Sequence, residues 1–287
     1  MKTISELIDH LHLEQIEVNL FRGQSRSVGS SRVFGGQVLA QALSAALNTV
    51  PEERFVHSLH GYFILAGDIN APIVFEVDRI RDGGSFTTRR VKAIQHGRAI
   101  FNMSASFHEP EDGMEHQMEA PAVASPEDLP SWDALVKEFG SLMPSGLKRF
   151  LDVERPIEFR PVEFINPAAP EKYAPLRHVW MRAKGEMPDD RKWHQLSLAY
   201  ASDYNLLTTA LLPHGLAANF GQIMLASLDH AMWFHRDFRM DQWLLYAIDS
   251  PSAAGGRGFT RGSIFTRDGQ LVASVAQEGL MRLNAKT

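Results

Sequence analysis

Two side chains stand where their chemistry does not match their neighbours. Between Arg191 and Leu212 the apolar spacing predicts one long helix, on which Leu196, Tyr200, Asp203 and Leu207 step by four, three and four residues and stack in a narrow arc. A carboxylate on that stripe loses its water, at a cost of several kcal/mol unless it is paired or hydrogen-bonded. Two reasons for it stand side by side: a buried ion pair or a helix break near Ser202, and an acid held for function. Gln277 shows the same anomaly on a predicted strand, where Leu271, Ala273, Val275, Gln277, Gly279, Met281 and Leu283 share one side. Its amide needs partners there, whether to tie down a bulge near Gly279 or to serve a site. Ser227, in Leu225-Ala226-Ser227-Leu228-Asp229-His230, has weak alternation around it and is not singled out by position alone.

Other groups are less telling. His57 and His60 lie three apart on a predicted strand and so face opposite sides, which disfavours a shared metal. His230 and His235, five apart, fail by the same parity. The run Gly255-Gly256-Arg257-Gly258-Phe259-Thr260-Arg261-Gly262 joins tight-turn backbone to two guanidinium groups, which suits phosphate recognition or, equally, a twisted hairpin with solvated arginines. It lacks the strand-to-helix setting of a dinucleotide fingerprint. The sequence carries no G-x-S-x-G elbow, Walker glycine loop or H-E-x-x-H helix. With no cysteine there is no disulfide, thiolate nucleophile or Cys-ligated metal.

The elements that must position these groups repeat. A short helix at Ser5–Leu11 and a strand within Glu14–Gln24 precede a helix opened by Gly35-Gly36, with Leu39, Ala42, Leu43, Ala46 and Val50 on one face before Pro51. Strands are predicted at His57–Ile64, Ile73–Arg81, Phe86–Gln95 and Arg98–Phe107, with turns at Ala66-Gly67-Asp68, Asp82-Gly83-Gly84 and His96-Gly97. One apolar helix followed by an antiparallel meander implies a sheet wrapped around that helix. Residues 110–130 turn rich in Glu, Pro, His and Met, as an exposed linker does, and Trp132–Phe150 suits short helices. The pattern then returns: strands at Ile157–Phe164 and Arg177–Ala183, the helix from Arg191, and strands to the end. A register of 172 residues pairs Gly84 with Gly256, Thr88 with Thr260, Arg89 with Arg261 and Gly97 with Gly269, as a duplication would.

The bounds on function are broad. At 287 residues the chain can hold two modest domains, and 44% hydrophobic with 22% charged residues is ordinary for a globular protein. A net charge of -5, from 29 basic and 34 acidic residues, offers no global attraction to a polyanion, so nucleic acid is not an expected partner. No apolar run is long enough to span a bilayer, the first ten residues do not read as a signal peptide, and the last four match no peroxisomal or retention address. A cytoplasmic location is the default expectation.

Taken as ordered motifs, the residues resemble the acyl-CoA thioesterase II family. The likeness rests on Leu20-Phe21-Arg22-Gly23-Gln24, Arg32-Val33-Phe34-Gly35-Gly36-Gln37-Val38 and Val56-His57-Ser58-Leu59-His60-Gly61-Tyr62-Phe63 in the first half. In the second it rests on Tyr200-Ala201-Ser202-Asp203, Asp229 through Arg236, Arg257 through Gly262, Val272-Ala273-Ser274 and Gln277-Glu278-Gly279. The resemblance implies an α+β double hotdog, two antiparallel sheets each wrapped around a long helix. Its expected parts are an N-terminal hotdog at 1–115, a linker with short helices at 116–154 and a C-terminal hotdog with the catalytic residues at 155–287. It implies hydrolysis of fatty acyl-CoA to fatty acid and CoA, with no metal and no cofactor, by a water that Asp203, Ser227 and Gln277 orient. Serine at 227 departs from the threonine expected of bacterial members but keeps the hydroxyl. The same register sets Ala105 opposite Gln277, leaving one competent site per chain. Gly35, Gly36, His57, Arg257 and Arg261 are candidate substrate-binding residues, with N–H groups at the start of the Gly36 helix as oxyanion donors. A homotetramer, or a dimer, is expected. Three rivals remain: a hotdog hydratase or dehydratase, for which His57 or His60 would have to serve, an inactive acyl-CoA-binding regulator, which intact Asp203, Ser227 and Gln277 argue against, and, last, a pure scaffold.

Overall fold

The computed structural model describes residues 1–143, 148, 151–166, 171–216 and 223–284, so parts of Trp132–Phe150 and the last three residues lie outside the described residues. Helix α1 (Ile4–Leu11) leads into strands β1 (Glu14–Glu17) and β2 (Leu20–Gly23), helix α2 (Gly35–Leu47) and strands β3 (Phe55–Phe63), β4 (Ile73–Asp82), β5 (Phe86–Gln95) and β6 (Arg98–His108). The predicted strand at Glu14–Gln24 is thus a hairpin of two short strands, paired antiparallel with Glu14 opposite Arg22. Helix α3 (Trp132–Phe139) follows. The second half runs β7 (Ile157–Pro161), β8 (Leu176–Ala183), α4 (Arg191–Ser202), the single turn α5 (Leu206–Thr209), β9 (Ile223–Ser227), β10 (Asp229–Phe234), β11 (Leu244–Ala254), β12 (Arg257–Thr266) and β13 (Leu271–Leu283).

Among the described residues the strands form one antiparallel sheet in the order β1-β2-β4-β5-β6-β3-β10-β13-β12-β11-β8-β7, with β9 added to β13. The order reads as a half followed by its mirror in sequence, joined at the centre where β3 pairs with β10. Each half wraps one long helix, and α2 packs against α4 between them. This is the double hotdog.

The helices are buried for different sequence reasons. Helix α2 carries no charged residue, and Gly36 through Ala46 are all buried. Its polar side chains are satisfied locally: the Gln41 amide donates to the carbonyls of His10 and Gln24 at 3.1 Å each, and Ser44 donates to that of Leu11 at 2.7 Å. Helix α4 is capped at its start by Asp190, whose side chain accepts from the Lys192 N–H. It does not continue to Leu212 as the spacing predicts. Asp203 is its C-cap and Asn205 turns the chain through the left-handed region at φ 68°.

The duplication is real in element order but slips along one strand. Arg89 pairs with Ala105 and is buried, whereas Thr260 pairs with Gln277 and is buried. Arg261, the partner that the 172 register gives to Arg89, is exposed and paired with Asp249. The cause is one extra residue in the second hairpin: four residues separate the paired Ile94 and Ala99, five separate Phe265 and Leu271. A slip of one residue reverses the face. Gly84/Gly256, Thr88/Thr260 and Arg89/Arg261 are therefore out of phase, while Gly97 and Gly269, both at positive φ in the turn, keep the register. On the inner face Ala105 occupies the place of Gln277, and Arg89 the place of Thr260.

Candidate active site

The end of α4 meets the start of α2. Phe34, the N-cap of α2, makes no side-chain cap bond, and the first turn holds no acidic residue. The missing cap comes from the other half: the Gly36 N–H donates to Asp203 Oδ2 at 2.9 Å. A carboxylate at the C-terminal end of α4 faces the negative pole of that helix, and the positive pole of α2 offsets it. The approach requires glycine at two positions. A Cβ on Gly35 would lie 2.7 Å from Asp203 Oδ2 and 3.0 Å from the Phe63 ring; one on Gly36 would lie 2.3 Å from the Tyr200 carbonyl oxygen.

The second wall is β13. Gln277 is fully buried on its inner face, and its Nε2 donates to Asp203 Oδ1 at 2.8 Å and lies 3.1 Å from Ser227 Oγ. Ser227 reaches the site because β13 takes two neighbours in succession. Strand β9 pairs its end, with Ser227 opposite Gly279, and β10 pairs its middle, with Ala231 opposite Ala276. At the break the Leu228 N–H donates to the Glu278 carbonyl at 2.9 Å, and Asp229 Oδ1 accepts the Glu278 N–H at 2.6 Å. The break thus holds the backbone on either side of Gln277 and Ser227.

Asp203 and Gln277, anomalous in the sequence, and Ser227, implied by the resemblance, therefore come together. A fourth side chain joins them. His230 Nδ1 lies 3.2 Å from Gln277 Nε2 and 3.9 Å from Asp203 Oδ1, and its Nε2 lies 3.0 Å from Ser202 Oγ. Complete burial pushes its pKa down to about 4, against the pull of Asp203, so the ring is neutral at pH 7. Strand parity disfavours His230 as a metal ligand, and the sequence signal that marks it is its place next to Asp229 in the Asp229–Arg236 motif. Gln277 Oε1 is buried with no hydrogen-bond partner among the described residues.

Of the remaining candidates, Gly35 and Gly36 border the cluster at Asp203, while His57, Arg257 and Arg261 sit apart from it. His57 lies at a β3 bulge beside Phe86 and His108, four residues from Gly61, the neighbour of His230, or about 13 Å along the strand. His60 points to the outer face against Trp233. Arg257 and Arg261 project from the face opposite Gln277, where they pair with Glu278 at 2.9 Å and Asp249 at 2.6 Å. Gly36 spends its N–H on Asp203, so this helix-start donor holds the carboxylate rather than standing open. Among the described residues no three His, Asp or Glu side chains gather as a metal site.

The arrangement can take a proton and hold a small polar molecule. Both oxygens of Asp203 are anchored yet keep lone pairs, Ser227 offers a hydroxyl, and the unsatisfied Gln277 carbonyl oxygen offers an acceptor. A family model described as "Acyl-CoA thioesterase" matches residues 147–280, and one described as "Acyl-CoA thioesterase N-terminal domain" matches residues 23–108. The chain is 42% identical over 281 residues to "Acyl-CoA thioesterase 2" of Haemophilus influenzae, covering 98% of each. It is 41% identical to human "Acyl-coenzyme A thioesterase 8", covering 95% of this chain and 88% of that protein. The crystal structure of acyl-CoA thioesterase II TesB2 from Mycobacterium marinum superposes with a TM-score of 0.79 at 43% identity, covering 99% of both chains.

Proposed function

Because the chain belongs to the acyl-CoA thioesterase family, we propose that Asp203, Ser227 and Gln277 hold the water that hydrolyses an acyl-CoA thioester. The enzyme is a thioester hydrolase. The observation that carries the assignment of residues is the Gln277 amide bridging Asp203 and Ser227. A thioester carbonyl is electrophilic enough for an oriented water, provided a base removes its proton. Asp203 is that base. Ser227 Oγ and Gln277 Oε1 fix the water beside it, which gives the unpaired carbonyl oxygen of Gln277 its partner. As the water oxygen bonds to the acyl carbon, its proton passes to Asp203. The C–S bond then breaks, the same proton returns to the CoA sulfur, and free fatty acid remains. The positive pole of α2 offsets charge that develops on the carbonyl oxygen.

The test is a free-thiol release assay on fatty acyl-CoA with Asp203→Asn, which keeps size and much of the hydrogen bonding. Turnover is expected to fall by about 10² or more, the scale of a lost general base, with the fold intact. An unchanged rate removes Asp203 from the reaction. A collapse in Tm instead assigns it a structural role.

The same reading takes residues 1–115 and 155–287 as the two hotdog units, with 116–154 as the linker between them. It places the enzyme in the cytoplasm as a homotetramer, or a dimer. Among the described residues no helix is long and apolar enough to cross a membrane. Sedimentation showing only monomer at micromolar protein would refute the assembly.

A further inference from the structure

We infer that His230 is a positioning residue which, through a hydrogen-bond chain anchored at Ser202, fixes which way round the Gln277 amide sits. The inference rests on the assignment of Gln277 to the site. Ser202 has one hydroxyl proton and two neighbours, the Ala199 carbonyl oxygen at 2.9 Å and His230 Nε2 at 3.0 Å. The carbonyl can only accept, so the hydroxyl donates to it, and His230 Nε2 carries the N–H that donates to Ser202 Oγ. His230 Nδ1 is then a bare lone pair.

That lone pair faces Gln277 Nε2 at 3.2 Å, and Asp203 Oδ1 faces the same nitrogen at 2.8 Å. Two acceptors converge on one end of the amide, which must therefore be the NH2 end. In the reverse orientation the carbonyl oxygen would lie against a carboxylate and an imidazole lone pair in a buried, low-dielectric site. The consequence appears at the other end: Gln277 Oε1 is turned away from both and is left buried and unpaired. An acceptor so placed is set to accept a hydrogen bond from the reacting water. His230 thus governs the water without touching it. Ser227 Oγ, 3.1 Å from the same nitrogen, shares the second amide proton with Nδ1.

The chain distinguishes between two replacements of similar polarity. In His230→Asn the amide oxygen can stand near the position of Nδ1 and accept from Gln277; in His230→Gln the polar group reaches the position of Nε2 and leaves Gln277 without that partner. With fatty acyl-CoA as substrate, kcat is expected to fall at least 10-fold in His230→Gln and His230→Leu, and less than 5-fold in His230→Asn. KM should stay within 2-fold in all three, because His230 does not contact substrate. Wild-type kcat in His230→Leu, or equal losses in the Asn and Gln variants at matched Tm, overturns the inference. Should a variant not fold, the wild-type enzyme answers by itself. Nitrogen-15 NMR of histidine-labelled protein at pH 7 is expected to show His230 as the neutral tautomer protonated at Nε2, and protonation at Nδ1 refutes the chain. Full activity of Asp203→Asn would sink the water mechanism while leaving the tautomer result standing, so the two failures are separable.

Discussion

Gly35→Ala should uncouple activity from stability. Within a helix this change ordinarily stabilises by up to about 1 kcal/mol, because alanine restricts the unfolded chain and favours helix. At Gly35 the added Cβ would stand 2.7 Å from Asp203 Oδ2, whereas ordinary contact begins at 3.4 Å, so the carboxylate or the helix must move by about 0.7 Å. That displacement takes the bond from the Gly36 N–H to Oδ2, now 2.9 Å, to the edge of hydrogen-bonding range or beyond. A hydrogen bond to a charged group contributes about 1.5–3 kcal/mol, so kcat should drop ~10- to 100-fold. The assay is thiol release over a range of acyl-CoA concentrations, beside thermal denaturation. Gly84→Ala is the control, since nothing lies within 4 Å of a Cβ there, and it should leave both readouts close to wild type. A Gly35→Ala enzyme with undiminished kcat would refute the claim that close approach of α2 to Asp203 sets the carboxylate in place.

Ser227→Thr should keep much of the activity because the hydroxyl persists, while Ser227→Ala should lose about 1–2 kcal/mol of transition-state stabilisation, or ~5- to 30-fold in kcat. An acyl adduct on the peptide containing Ser227, found by mass spectrometry of enzyme quenched during turnover, would show a covalent route and overturn the water mechanism. Burial holds both His230 and His10 down to about 4 from their ordinary 6.5, so the folded state disfavours their protonation. Their effect on stability is absent above pH 6.5, grows as pH falls towards about 4 and is constant below. His230 alone should account for about 2 kcal/mol lost by pH 5, and denaturant titrations showing equal stability at pH 7 and pH 5 would contradict this.

Much of the candidate site is legible in the sequence because burial makes two residues anomalous. Gln277 was found from strand parity, and parity survives in the structure: Ala273, Val275, Gln277 and Gly279 are buried in alternation. Asp203 stands out in the sequence for a reason that holds only in part, since the helix ends at Ser202 and Asp203 is its C-cap. The apolar steps that ran past it to Leu207 belong to a helix and a separate turn, and the left-handed Asn205 between them leaves no trace in periodicity. Ser227 could not be read from position, since its strand is short and its neighbours are half-exposed. His230 was hidden for a different reason. Its partners, Ser202 and Gln277, lie 28 and 47 residues away, and nothing local marks which ring nitrogen will be an acceptor. The duplication was legible in element order, but identity matching chose the wrong phase along β12, because Gly and Arg recur on both faces of a hairpin while burial does not.

The bond between the Gly36 N–H and Asp203 ties together residues 167 positions apart in a single polypeptide. Were the two hotdogs separate molecules, this contact would form only as often as they met, and specific activity would fade on dilution below their dissociation constant. Fusion turns the encounter into an intramolecular one, with an effective concentration on the order of millimolar for a flexible tether. The carboxylate therefore keeps its helix cap at any enzyme concentration. The first half, which supplies Gly36, fills its own inner face with Ala105 and a buried Arg89 where the second carries Gln277 and Thr260.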